Sequence, residues 1–188
     1  MLKENNEKIK HWVNYSLTSI QKDKRNRKSL NFSAYFKSLD KNWKKVFKSK
    51  DIILQIDDNL KNESYNFRAF EMDINTIFSN LINNSIDSFE NLKKVQDREI
   101  KITSSINEEQ LNFIYSDNGA GIAKVFTTKE DIFLAFTTSK RNKKGDEIGT
   151  GLGMYLVKSV IEDNNGDIEI LESEKGFKVK IIFLLRKQ

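Results

Sequence analysis

Hydrophobic positions in this chain recur with two periods, and the change from one to the other marks out its elements. Over residues 4–21, Ile9, Trp12, Val13, Leu17 and Ile20 return at helical spacing and form a stripe with no partner in its own segment. Residues 22–28 are basic and polar and read as a connection. Ser33 suits the N-cap of a second helix reaching about Lys48, with Tyr35, Phe36, Leu39, Trp43, Val46 and Phe47 as its apolar positions. Residues 51–57 read as a strand, 58–66 as a loop and 67–70 as a short extended piece. The strongest helical signal covers 73–90, where Ile74, Ile77, Phe78, Leu81, Ile82, Ile86 and Phe89 make one apolar face. Strands over 99–104 and 111–116 pair across a turn at 107–110. From Lys124 to Ile148 the chain is polar and lysine-rich apart from an island at 132–136, which reads as a lid with Phe133 and Phe136 as anchors. A glycine-rich run at 149–154 opens a helix to about Asp163, with Tyr155, Leu156, Val160 and Ile161 inward. A turn at 164–166 leads to a final hairpin of 167–171 and 177–185.

Composition narrows the classes. The 188 residues suffice for one domain and an appendage. With 31% charged residues and no apolar run of spanning length, a soluble protein placed in the cytoplasm is expected, with no membrane span. Cysteine is absent and His11 is the one histidine, which excludes disulfides, thiolate metal sites and His-rich metal sites. The net charge of +5 is uneven, because residues 1–60 hold 14 Lys and Arg against 7 Asp and Glu. The lysines interleave with apolar residues, as on a solvated helix face, so no specific nucleic-acid partner is expected.

Candidate chemistry sits in three places. Asp117 ends an apolar run and is followed by Gly119 and Gly121, so a carboxylate at a strand end faces a backbone that a flat ligand can approach. On the 73–90 helix, Asn80, Asn84 and Asp87 fall within about 60° of one another, off the centre of the apolar face. Asn is a poor helix-interior residue, so Asn80 and Asn84 read as an inward polar site, and Asn83 as part of the outer face. Amide oxygens of this kind suit Mg²⁺, which takes its remaining ligands from phosphate and water. Gly149-Thr-Gly-Leu-Gly-Met154 enters a helix N-terminus, whose N–H donors and dipole favour phosphate. It lacks the preceding buried strand of a dinucleotide fingerprint and the Gly-Lys-Ser/Thr of a P-loop.

Together these stretches resemble the ATP-binding domain shared by gyrase, the heat-shock chaperone ATPase, histidine kinases and MutL, and most of all the catalytic domain of sensor histidine kinases. Residues 77–89 resemble the N-box, 117–121 the first glycine box, 133–140 the F-box and 149–154 the second glycine box. The resemblance covers roughly 31–188, leaving 1–30 as an N-terminal helix and connection, a remnant of a dimerisation hairpin. It implies an α+β fold, a two-layer α/β sandwich with a mixed, mostly antiparallel sheet and helices on one face. It implies ATP and Mg²⁺ as cofactors. Asp117 would accept from the adenine amine, with Gly119 and Gly121 letting the purine approach and Ile122 beside it. Asn84 would be the Mg²⁺ ligand, Asn80 would act at the metal water or the phosphates, and Asp87 would stand next to them. Gly149, Thr150, Gly151, Leu152, Gly153 and Met154 would wrap the phosphates, and Phe136, Thr137, Thr138 and Lys140 would belong to the lid beside the nucleotide.

Three departures qualify the match. Many histidine kinases have Lys where Asp87 stands, so a phosphate-contacting lysine is missing. Gly176-Phe177 stands where the family often has Gly-Thr. Gyrase-like ATPases carry a Glu that activates water where Asn80 stands, and an amide is no general base. The implied reaction is transfer of the terminal phosphate to a histidine on another segment or chain, with a phosphoacceptor domain or response-regulator-like protein as partner and a homodimer through the first helix. His11 precedes Trp12-Val13-Asn14 rather than an acidic residue with a nearby proline, and is not expected to be the acceptor. A conformational ATPase, with Asp73 or Glu71 as base, and a non-catalytic ATP sensor are the alternatives. The chain is expected to be a fragment of a longer protein.

Overall fold

The computed structural model describes residues 27–61, 63–90, 92, 97–107, 109–140 and 149–185. The helix expected over 4–21, with His11, lies outside them.

The first described helix, α1 (Phe32–Ser49), is capped by Asn31, whose side chain accepts the Ala34 N–H at 2.9 Å. Asn31 is extended (φ −97°, ψ 107°), as an N-cap must be, so Ser33 falls inside the first turn instead of starting it. The strand β2 (Ile52–Asp58) pairs in parallel with β4 (Arg98–Asn107), a connection that needs a crossover. The 20-residue helix α2 (Glu71–Glu90) supplies it. β4 turns into β5 (Gln110–Asp117), with Asn107 opposite Gln110 at the turn. Helix α3 (Gly153–Asp163), β6 (Gly166–Ile170) and β7 (Phe177–Leu184) complete an α+β domain. The sheet order is β2-β4-β5-β7-β6, antiparallel except for β2 with β4.

Alternation along the strands puts one face of this sheet in the core. Ile100 and Ile102, Leu111, Phe113 and Tyr115, and Val179, Ile181 and Phe183 are all buried. Helices α1 and α2 cover that face, with the rings of Phe32, Phe36 and Phe78 centred 4.5, 5.9 and 6.0 Å from Phe113. Burying an aromatic ring of this kind contributes about 1.5–3 kcal/mol. α3 buries Val157, Val160 and Ile161, so Tyr155, expected inward, lies off the buried stripe and is exposed.

Two tethers fix the helix ends. The Asn164 amide, at the C-cap of α3, donates to Asp73 Oδ2 in the first turn of α2 at 2.9 Å and to the Val160 carbonyl at 2.8 Å. A two-stranded ribbon of β1 (Lys28–Ser29) and β3 (Arg68–Ala69) ties the end of the polar connection into the domain, and the Arg27 guanidinium donates to the Asp163 carbonyl at 3.1 Å.

Candidate functional site

α2, the loop after β5, the segment to Lys140 and the start of α3 enclose a cavity of about 470 Å³. A smaller hollow of about 330 Å³ lies between the loop after β5 and the β6–β7 hairpin, without Asp117 or the α2 amides. The larger cavity is in the range of small-molecule sites and joins an apolar wall to a few polar groups. Ile122, Ala123, Phe126, Ile132, Met154, Leu156 and Phe177 supply the wall.

At one end stands Asp117, the last residue of β5 and 7% exposed. Its Oδ1 accepts the N–H of Gly119 at 2.8 Å and that of Phe177 at 3.3 Å, and its Oδ2 accepts from Ser85 Oγ at 2.6 Å. Burial raises its pKa from the ordinary carboxylate value, and these three donors oppose that. Gly176, the neighbour of Phe177, has φ +73°, and a methyl group there would stand 1.9 Å from the Asp117 carbonyl oxygen. Phe177, which stands where the family often has Thr, offers no side-chain hydroxyl and reaches the carboxylate through its backbone N–H.

At the other end Asn80, Asn84 and Asp87 line the cavity together, as their spacing on α2 requires. Asn80 donates its amide to the Thr76 carbonyl at 2.8 Å, and a methyl group on Gly153 would come within 3.0 Å of its Oδ1. The Lys140 ammonium donates to Asn84 Oδ1 at 3.1 Å and pairs with Asp87 Oδ2. Gly149, Thr150, Gly151, Leu152 and Gly153 line the same end, where α3 begins on Leu152 without a side-chain cap. Thr137 and Thr138 line it from the lid side.

Some expected residues stand elsewhere. Phe136 does not line the cavity: its backbone is left-handed (φ 62°) and packs against Gly151, and the residue is 47% exposed, so of the two expected anchors Phe133 is the buried one. Gly119 acts through its N–H on Asp117 rather than by lining the space. Asn83, assigned to the outer face, is exposed yet reaches the cavity rim. Neither Asp73 nor Glu71 lines the cavity, and Asp73 is buried against Asn164, so no base stands at either position. Ser85 and Ser88 were not anticipated. Ser88 Oγ accepts the Ala120 N–H at 2.6 Å, holding the glycine loop on α2. Ser85 had a signal, since it is the hydroxyl in the otherwise apolar row Leu81, Ser85, Phe89.

A family model described as "Histidine kinase-, DNA gyrase B-, and HSP90-like ATPase" matches residues 70–188, which contain every one of these cavity residues. The chain belongs to this family. Among its relatives, a probable C4-dicarboxylate sensor kinase of Bacillus subtilis (strain 168) is 31% identical over 136 residues, 72% of this chain and 24% of that protein. The sensor histidine kinase FlgS of Helicobacter pylori is 33% identical over 136 residues, 71% of this chain and 32% of that protein. The chain thus spans about a quarter to a third of the length of these relatives. In fold, this ATPase domain resembles histidine kinase ThkA, solved in complex with the response regulator TrrA, with a TM-score of 0.69 at 20% identity over 97% of this chain and 48% of that one. No helix among the described residues is long and apolar enough to cross a membrane.

Whether a divalent cation fits is decided by the donors. Among the described residues no three His, Cys, Asp or Glu side chains cluster as an all-protein metal site. Asn84 Oδ1 and Asp87 Oδ2 nevertheless already hold a cation, the Lys140 ammonium. Two such oxygens on the cavity wall fit Mg²⁺, which completes its shell with phosphate and water.

Proposed function

We propose that the cavity binds Mg-ATP and that the chain is the catalytic half of a histidine kinase, handing the terminal phosphate to a histidine on a separate segment or chain. Asp117 takes the adenine amine, and the wall of Ile122 and Phe177 takes the ring. Asn84 would hold Mg²⁺, which when bound would supply positive charge against the phosphates. Gly149–Gly153 and the start of α3 hold the phosphate oxygens through backbone N–H groups, with Thr137, Thr138 and Lys140 closing from the lid. The observation that carries transfer over rapid hydrolysis is Asn80: beside the start of α3 stands an amide, which cannot activate water. The one carboxylate at that end among the described residues, Asp87, is paired with Lys140. The acceptor is a helical phosphoacceptor domain, a response regulator follows it, as in the complex of ThkA with TrrA, and a homodimer forms through residues 4–21, which lie outside the described residues.

The test is the fate of the terminal phosphate. The chain is incubated with Mg-ATP labelled there, alone and with a histidine-bearing phosphoacceptor domain of a related sensor kinase, beside Asp117→Asn. Acid-labile label on protein, lost in Asp117→Asn, is the expected result. Steady release of free phosphate with no labelled protein would instead identify a conformational ATPase, and binding without either product a sensor. His11→Ala leaves the labelling unchanged if the acceptor lies elsewhere.

A further inference from the structure

Behind Asp117 runs a buried chain of hydroxyls that the ATP reading does not use. Tyr115 and Ser85 are 0% and 1% exposed, and neither lines the cavity. Ser85 Oγ lies 2.6 Å from Asp117 Oδ2 and 2.7 Å from the Tyr115 hydroxyl oxygen. Each hydroxyl has a single hydrogen, and a carboxylate only accepts. With Asp117 ionised, Ser85 donates to it and Tyr115 donates to Ser85, so every hydrogen is used. With a proton on Asp117 Oδ2 the chain must reverse. Ser85 then donates to Tyr115, whose own hydrogen is left buried, with no acceptor among the described residues.

We propose that Tyr115 and Ser85 are positioning residues that lock Asp117 as an acceptor, so that the site selects a base carrying an exocyclic amine over one carrying a carbonyl. The proposal rests on the reading that the cavity takes a nucleoside triphosphate. The lock has work to do, because burial pushes Asp117 toward its neutral form, and a neutral carboxyl could donate to a carbonyl edge. The groups facing Asp117 are Ser85 from α2, the Gly119 N–H from the loop and the Phe177 N–H from β7, with Ile100 beside it on β4. The charged groups sharing the cavity, Asp87 and Lys140, are paired with each other. Among the described residues no cation therefore does for Asp117 what the hydroxyl chain does.

The experiment measures binding of ATP and of inosine triphosphate, whose base has a carbonyl where adenine has its amine, from about pH 5 to about pH 8. It uses the whole chain, Tyr115→Phe, Ser85→Ala and Ser85→Thr, with melting curves to confirm folding. The native chain is expected to prefer ATP throughout. Tyr115→Phe is expected to lower the ATP-over-inosine preference about tenfold at the acid end, the change that one unit in the carboxyl pKa produces, and less at the alkaline end. Ser85→Ala does at least as much, and Ser85→Thr, which keeps the hydroxyl, restores the native ratio. Should Ser85→Ala not fold, Tyr115→Phe and Ser85→Thr still decide. A Tyr115→Phe ratio equal to the native one at every pH overturns the proposal. So does a native chain that binds both nucleotides alike, which leaves the nucleotide reading standing. A native chain that binds neither removes that reading and this one together.

Discussion

At Asp117 the cavity is closed by hydrogen bonds made under cover: the carboxylate is 7% exposed and takes donors from a helix, a loop and a strand. At Asp87 it is closed by an ion pair in which Lys140 and Asp87 keep 36% and 42% of their side chains exposed. The first arrangement belongs to the fold, since its donors come from α2, β7 and the loop that β5 enters. The second belongs to the lid, and its charges can exchange with water, salt or a ligand at little cost. A ligand arriving in such a cavity meets a finished surface at the base end and a replaceable cation at the phosphate end.

The sharpest way to break the contrast is Asp117→Asn. The amide keeps the shape but offers a donor where an acceptor is needed, and ATP affinity is expected to fall about 100-fold, as for a lost hydrogen bond to a charged group. The same variant has a pH signature without ligand. Because the folded-state pKa is raised, the native chain holds the proton more tightly than the unfolded chain does. That contribution is complete below the ordinary carboxylate range and is lost as pH rises through the raised value. The melting temperature of the native chain should therefore fall across that window relative to Asp117→Asn, and parallel curves would refute it.

Gly151→Ala comes next. The residue has φ +66°, and a methyl group would stand 2.4 Å from the Phe136 carbonyl carbon and the Thr137 nitrogen, both backbone atoms. A cost of about 1–3 kcal/mol is expected, a fall of roughly 2–12 °C in melting temperature. Binding of adenosine, which needs only the base end, should survive while binding of ATP weakens. Equal losses for the two ligands would mean that the ends are not separable.

Lys140→Gln is the mildest. Stability should stay within about 0.5 kcal/mol, as for exposed ion pairs. ATP affinity should drop a few-fold, and its salt dependence should flatten because one screened charge has gone. An unchanged salt slope would show that the ammonium stays on Asp87 when phosphate binds.

How much of this was legible depends on how local each determinant is. The triplet Asn80, Asn84, Asp87 was readable because helical geometry alone places its members together, and Asp117 because a strand end and a glycine turn are adjacent in sequence. Strand cores and the hairpin followed from alternation and turn residues. The helix starts at Asn31 rather than at Ser33, two residues earlier than expected, and its first residue, Phe32, is completely buried, a long-range packing fact that the local cap signal does not carry. Tyr115 looked like one more apolar strand residue, since only a partner 30 positions earlier reveals that its hydroxyl is used. Phe136 carried an apolar signature and pointed outward because its backbone was claimed by Gly151, a contact that no periodicity records. Arg27 and Lys28, read as a polar connection, are held by a two-residue ribbon and a bond to the end of α3.

The amide of Asn164 gives α3 a mechanical character. One end of that 11-residue rod is pinned, to Asp73 on α2 and by Arg27 at the adjoining Asp163 carbonyl. The other end opens into glycines, which resist bending least. A rod held this way swings rather than slides. At about 1.5 Å per residue it is roughly 16 Å long, so a tilt of about 5° at the pin displaces the phosphate end by roughly 1.4 Å. That displacement is about half the length of a hydrogen bond.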